Sequence, residues 1–138
     1  MMKLFYYISM GTILFITGLI LLIFFWYNWP YKVVEFKEPI HILTPIVHVG
    51  ENLIYELDYC KHVDIPATLS KEYIDGVVYA APPVVVNNPK GCGIKNGITL
   101  VPNLLEGVYS MRFSYSYKMN PIRTITIVVE SEKFEVRR

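Results

Sequence analysis

The sequence predicts one membrane-spanning α-helix at the N-terminus followed by an all-β domain. Two observations carry this prediction. No charged side chain stands between Lys3 and Lys32, and a bilayer crossing needs an uncharged apolar run of about 20 residues. Beyond it, short segments alternate apolar and polar residues with a period of two, separated by clusters of Pro, Gly and Asn. That alternation marks strands with one face in a core and one in water.

The chain has 138 residues, 53% of them hydrophobic and 18% charged. The apolar excess is concentrated in the first 30 residues; the remainder is an ordinary domain in composition. From Tyr31 onward the chain carries all twelve acids and twelve of the thirteen bases, so this part is close to neutral. A nucleic-acid partner is therefore not expected, because phosphate binding needs a surplus of Lys and Arg.

Leu4 to Tyr27 reads LFYYISMGTILFITGLILLIFFWY. As a helix it would be about 36 Å long, enough to cross a hydrocarbon core of about 30 Å with some tilt. Membrane lipid is thus the expected partner of residues 4–27. Tyr6 and Tyr7 at one end, and Trp26, Tyr27 and Trp29 at the other, match the aromatic belts of membrane interfaces. Pro30 stops the helix. The apolar run is too long for the core of a cleaved signal, and no small-residue pair marks a cleavage site. The expected organisation is an uncleaved signal anchor over 1–29 and an exported domain over 30–138. The basic residues flanking the helix are nearly balanced. The cysteine pair and the short N-terminal stub favour a cytoplasmic N-terminus and an extracytoplasmic domain, periplasmic or extracellular. Gly11 and Gly18, seven apart, share one helix face and form a candidate packing surface for another helix.

Two strands are clear in the tail. In Tyr109–Lys118, Tyr109, Met111, Phe113, Tyr115 and Tyr117 alternate with polar residues. In Asn52–Lys61, Leu53, Tyr55, Leu57 and Tyr59 share one face, and Cys60 falls on the other. β-Branched or aromatic runs predict further strands at Val33–Lys37, Ile46–Val49, Gly76–Ala80, Val84–Asn87, Ile98–Val101, Arg123–Val129 and Lys133–Val136. Turns are predicted at Pro82-Pro83, Asn87–Gly91, Asn96-Gly97 and Met119–Pro121, the last closing a hairpin. The one helical candidate is a short turn near Ser70–Ile74. Seven to nine short strands in about 108 residues imply a sandwich or small barrel.

Glu106-Gly107-Val108-Tyr109-Ser110-Met111 resembles the D-x-G-x-Y-x-C run of immunoglobulin domains. The resemblance implies an immunoglobulin-like antiparallel β-sandwich with Tyr109 as the corner tyrosine. Met111 stands where the core cysteine would be, so the usual inter-sheet disulfide is absent. More broadly, the anchor followed by Tyr115-x-Tyr117-x-x-Asn120-Pro121-x-Arg123 resembles small single-pass membrane proteins of tailed phages and bacteria. That group has no assigned activity, so the resemblance implies no functional residues.

Two cysteines in an exported domain suggest a disulfide. A Cys60–Cys92 bond would close a loop of about 33 residues and stabilise the domain by up to about 3–4 kcal/mol; from its position it would staple a surface loop. The competing reading is a periplasmic metal-binding or redox protein using Cys60, His62 and Cys92, soft ligands suited to copper or zinc. Their spacing matches no common zinc pattern and no C-x-x-C motif. No hydrolase motif and no phosphate loop occurs, so neither catalysis nor a cofactor is expected. Tyr73 and Tyr79, near predicted loops, are candidates for a recognition surface. The expected function is a membrane-tethered, non-catalytic binding or structural module of a bacterial or phage envelope assembly, with a protein partner or self-association.

Overall fold

The structure is a computed structural model that describes residues 2–30 and 32–138. Helix α1 spans Met2–Asn28 and is long and apolar enough to cross a membrane. Thr12 and Thr17 donate their hydroxyls to the carbonyls of Ile8 and Ile13, which meets their hydrogen-bonding needs within the helix. Gly11 and Gly18 have no neighbouring atoms within 4 Å of where a Cβ would stand.

Ten strands follow: β1 (Val34–Phe36), β2 (His41–Ile42), β3 (Ile46–His48), β4 (Asn52–Lys61), β5 (Ala67–Asp75), β6 (Val77–Ala80), β7 (Val84–Val86), β8 (Gly91–Leu100), β9 (Gly107–Asn120) and β10 (Arg123–Arg137). They form two sheets. In the first, β4 is central, with β8 along one side and β1 and β2 on the other. In the second the order is β3-β10-β9-β5, and β5 then pairs with β6 and β7.

The core lies between the sheets. Leu53, Tyr55, Leu57 and Tyr59 of β4 face Tyr109, Met111, Phe113, Tyr115 and Tyr117 of β9, all buried. Across the gap, the Tyr55 ring meets Phe113 edge-on at 5.1 Å, and Phe36 lies 5.3 Å from Tyr115. Such aromatic pairs add to the burial itself. Tyr109 is fully buried and donates its hydroxyl to the Leu105 carbonyl at 3.0 Å. The two layers are compatible with a sandwich.

Several elements differ from the sequence expectations. Among the described residues there are ten strands, against the seven to nine expected. The sheet system is also not wholly antiparallel: β3 runs parallel to the end of β10, and Ile40 makes a parallel bridge to Ser131. Ser70–Ile74 is not a helical turn but the middle of β5, paired along its length with β9. Here long-range pairing and burial of Ala67, Leu69 and Tyr73 override the local turn signal. Asn96-Gly97 is not a turn; it sits inside β8. The Ile98–Val101 strand therefore reaches back to Gly91. The two strands predicted over Arg123–Val129 and Lys133–Val136 are one, interrupted by a register shift between Glu130 and Lys133. Asn120 and Pro121 do turn the chain from β9 into β10, and the Asn120 side chain accepts from the Ile122 N–H.

The hairpin tip touches the end of α1. The Asn120 amide donates to the Trp26 carbonyl at 2.6 Å, and Arg123 donates to the Pro30 carbonyl at 3.2 Å. Carbonyls in the last turn of a helix lack intrahelical partners, and here the domain supplies donors at that end.

Candidate interaction surface

Strand β8 reads GCGIKNGITL. Among the described residues it pairs with β4 alone, over all ten positions and without a register shift. Its alternation places Gly91, Gly93, Lys95, Gly97 and Thr99 on the core side and Cys92, Ile94, Asn96, Ile98 and Leu100 on the outer side. Gly97 follows from the packing, since a Cβ there would fall onto the Tyr55 ring, whereas Gly91 and Gly93 have open space at that position. Tyr55 thus fills the space that a β8 side chain would otherwise occupy.

The direction of the β8 backbone groups follows from the ladder. Val101 donates its N–H to the Glu51 carbonyl at 3.0 Å, so odd-numbered residues of β8 turn their N–H and C=O toward β4. On the far side of β4, the carbonyls of Ile54 and Asp58 accept from Leu43 and Lys37, which fits the same alternation. Cys60 and Cys92 then form a pair that exchanges no backbone hydrogen bonds, the closer of the two pair types. Their Cα atoms are 4.0 Å apart and their sulfurs are bonded. The disulfide therefore joins two adjacent strands on the outer face, and the expectation that it would staple a loop is corrected.

The even-numbered residues of β8 turn their backbone groups to the open side. No described backbone partner meets those of Cys92, Ile94, Asn96 and Ile98, while the Leu100 carbonyl accepts from the Tyr73 hydroxyl at 3.4 Å. On the outer face Ile94, Ile98 and Leu100 are each more than 60% exposed. A strand edge that is long, flat and apolar is a template for pairing with another strand.

Beneath this edge the sheets leave a cleft of about 230 Å³, lined by Tyr55, Lys71, Lys95, Val84 and Tyr115 among others. Lys71 sits at an inward position of β5. Its ammonium donates to the Thr99 hydroxyl at 3.1 Å and lies 5.6 Å from the Phe113 ring centre; burial pushes its pKa down. Lys95, the sole charged residue of β8, donates to the Asn88 side chain at 2.7 Å. Lys61 is buried and donates to the Asn88 carbonyl at 2.7 Å and to the Asn87 side chain at 3.1 Å. Burial is the main cause of its lowered pKa. The two lysines clamp the turn between β7 and β8.

Of the residues singled out by sequence, Cys60 and Cys92 are brought together. His62 is exposed just past β4, and its backbone N–H donates to the Val33 carbonyl. Among the described residues no group of three His, Cys, Asp or Glu side chains could hold a metal ion. Tyr73 is 1% exposed, so it is a core residue and not part of a recognition surface. Tyr79 is half-buried with its ring 6.2 Å from that of Tyr109. Sequence reasoning missed the β8 edge and the inward Lys71. The signal for β8 was present: Gly91, Gly93 and Gly97 keep one parity while Ile94 and Ile98 keep the other.

No known protein family matches the chain, and no curated protein matches it. Solved structures give loose likenesses. The alkylpurine DNA glycosylase AlkC of Pseudomonas fluorescens aligns at TM-score 0.39 and 10% identity, over 76% of this chain and 30% of its own. A CARDB domain from Pyrococcus furiosus aligns at TM-score 0.37 and 16% identity, over 76% of this chain and 94% of its own. A β-glucosidase from Listeria innocua aligns at TM-score 0.32 and 11% identity, over 73% of this chain and 16% of its own. The chain spans less than a third of the glycosylase's length. At these scores nothing about activity passes from them to this chain.

Proposed function

We propose that the protein is a membrane-tethered, non-catalytic interaction module in a bacterial or phage envelope assembly. In this reading α1 is an uncleaved signal anchor with its N-terminus in the cytoplasm. The immunoglobulin-like sandwich stands outside, where its disulfide persists. The Tyr109–Leu105 hydrogen bond supports the immunoglobulin-like assignment. The observation that carries the function is the ten-residue β8 edge, with unmet backbone groups beneath exposed Ile94 and Ile98. Strand addition to such an edge is a general mode of recognition: main-chain hydrogen bonds supply affinity and alternate side chains supply specificity.

The metal-binding alternative needs Cys60 and Cys92 as thiolates. Here their sulfurs are bonded to each other, so nothing favours it. The interaction reading is tested by cross-linking the C-terminally tagged full chain in intact cells. Captured protein is compared with an anchor-only control and with Ile98→Lys. Capture of this chain or another protein, lost in both controls, supports the reading. Capture that Ile98→Lys leaves unchanged, or no capture, would reject the β8 edge as the site.

A further inference from the structure

We infer that the partner of the β8 edge is a second copy of the same chain, paired antiparallel about a two-fold axis through Asn96. This rests on the interaction reading above and names its partner. The argument is one of register. An isologous contact must be self-complementary, and β8 is so about Asn96. Antiparallel pairing centred there sets Ile94 opposite the partner's Ile98, Asn96 opposite the partner's Asn96, and Cys92 opposite the partner's Leu100. All these residues have outward backbone groups. The three central pairs therefore each exchange two N–H to C=O hydrogen bonds, which meet the edge groups that β4 leaves open. Four isoleucines then lie together on one outer face, and cross-strand β-branched pairs of this kind stabilise sheets.

The neighbouring register is excluded by charge. Centring on Lys95 would set two lysines directly opposite each other in a close pair that exchanges no backbone hydrogen bonds, and would oppose Ile94 with the partner's Asn96; like charges directly opposite destabilise a sheet. In the Asn96 register Lys95 lies opposite Gly97, on the cleft side, where its ammonium already holds Asn88.

The free half of β10 does not compete. The Glu130 carbonyl accepts from Ile40 at 2.9 Å, which turns Thr124, Thr126 and Val128 to that edge. Phe36–Pro39 wall it, the register shift after Glu130 breaks it, and two of its three edge side chains are threonines. Bulges and covering segments are the usual guards of a sheet edge. Among the described residues β8 keeps one register with β4 along its length, and of its outward backbone groups only the Leu100 carbonyl is met, by the Tyr73 hydroxyl.

The test uses the full chain in detergent, with its mass followed by analytical ultracentrifugation from low to high micromolar concentration. A concentration-dependent dimer is expected. Ile94→Lys and Ile98→Lys each alter an exposed side chain, so both should fold, which circular dichroism checks. Each should weaken the dimer by about tenfold or more, because the two-fold axis repeats every change. Combining Ile94→Glu with Ile98→Lys should restore it, since positions 94 and 98 face each other across the axis. As an independent readout, Asn96→Cys should cross-link to a disulfide dimer under mild oxidation, and Thr126→Cys should not.

A chain that stays monomeric throughout overturns the inference. So does a dimer that ignores the β8 substitutions, such as one held by the Gly11 and Gly18 face of α1. If the monomer nevertheless captures a different protein through β8, and Ile98→Lys abolishes that capture, self-pairing fails while the interaction reading stands. If no capture depends on β8, both fail.

Discussion

A methyl group at position 97 has no free space. A Cβ there would collide with the Tyr55 ring, which is itself held edge-on against Phe113. Gly97→Val should therefore destabilise the domain by about 1–3 kcal/mol, and Tyr55→Leu in the same chain should recover part of that loss. Chemical denaturation of the four combinations measures the coupling. Tyrosines also set the alkaline limit of the fold. Burial, reinforced by Tyr73, pushes Tyr55 up to about 12; burial and Tyr59 do the same to Tyr117, and Tyr115 is also raised. In the unfolded chain these groups ionise near pH 10. Their raised folded pKa values mean that stability is fully present below pH 10 and is lost as pH climbs toward 12. Absorbance of tyrosinate should therefore rise together with loss of circular dichroism in that window. Independent titration near pH 10 without unfolding would contradict the packing of these rings. The inward alternation of Tyr55, Tyr115 and Tyr117 was readable from the sequence. The identity of the groups that face them was not, because facing across two sheets is a long-range property.

Elements were legible where one face is buried and the other wet, as in β4 and β9. They were misread where that contrast fails. β5 carries Lys71 at an inward position, which interrupts its apolar face and made Ser70–Ile74 look like a turn. β8 has glycine where a core side chain should be, so its period-two pattern is silent on the inner side and Asn96-Gly97 read as a reversal. β10 is a single strand because its irregularity is hydrogen-bonded in place. The Met111 N–H donates to the Ser131 hydroxyl at 2.8 Å, and that hydroxyl donates onward to the Glu132 carbonyl. Ser131→Ala should leave the part-buried Met111 N–H unmet and cost about 1–3 kcal/mol, whereas Ser131→Thr should keep most of it. Hydrogen exchange at Met111, faster in the alanine variant alone, checks the assignment.

For the whole molecule, the division into an apolar helix and a β domain was plain from charge alone. The arrangement of the sheets was not, since the parallel approach of β3 to β10 has no local signature. Cys60 and Cys92 join β4 to β8 at a sequence separation of 32, beside the ladder to β4 and the side-chain hydrogen bonds at Lys95, Thr99 and Leu100. Replacing both cysteines by serine should lower stability by up to about 3–4 kcal/mol, read as a lower denaturation midpoint in the full chain. An unchanged midpoint would mean that the bond holds an edge already fixed by its hydrogen bonds. The same change should increase exchange of β8 amides more than those of β9, because the edge strand has one neighbour and β9 has two.

The hydrogen bonds from Asn120 and Arg123 to the end of α1 give the domain a foot. β4 and β8 share that polarity: Gly91 pairs with Lys61, and Lys61 with Val34, only four residues past Pro30. The Gly91 end of β8 thus lies on the side of α1, and with α1 as the proposed anchor it is the end nearer the bilayer, the Leu100 end standing about 30 Å further out for a ten-residue strand. Two such strands joined head to tail have their feet at opposite ends. Upright neighbours in one bilayer cannot meet in this way, but copies rooted in facing bilayers can. The paired domains would then act as a spacer of roughly one domain length, and vesicles carrying the protein should cluster, with Ile98→Lys dispersing them.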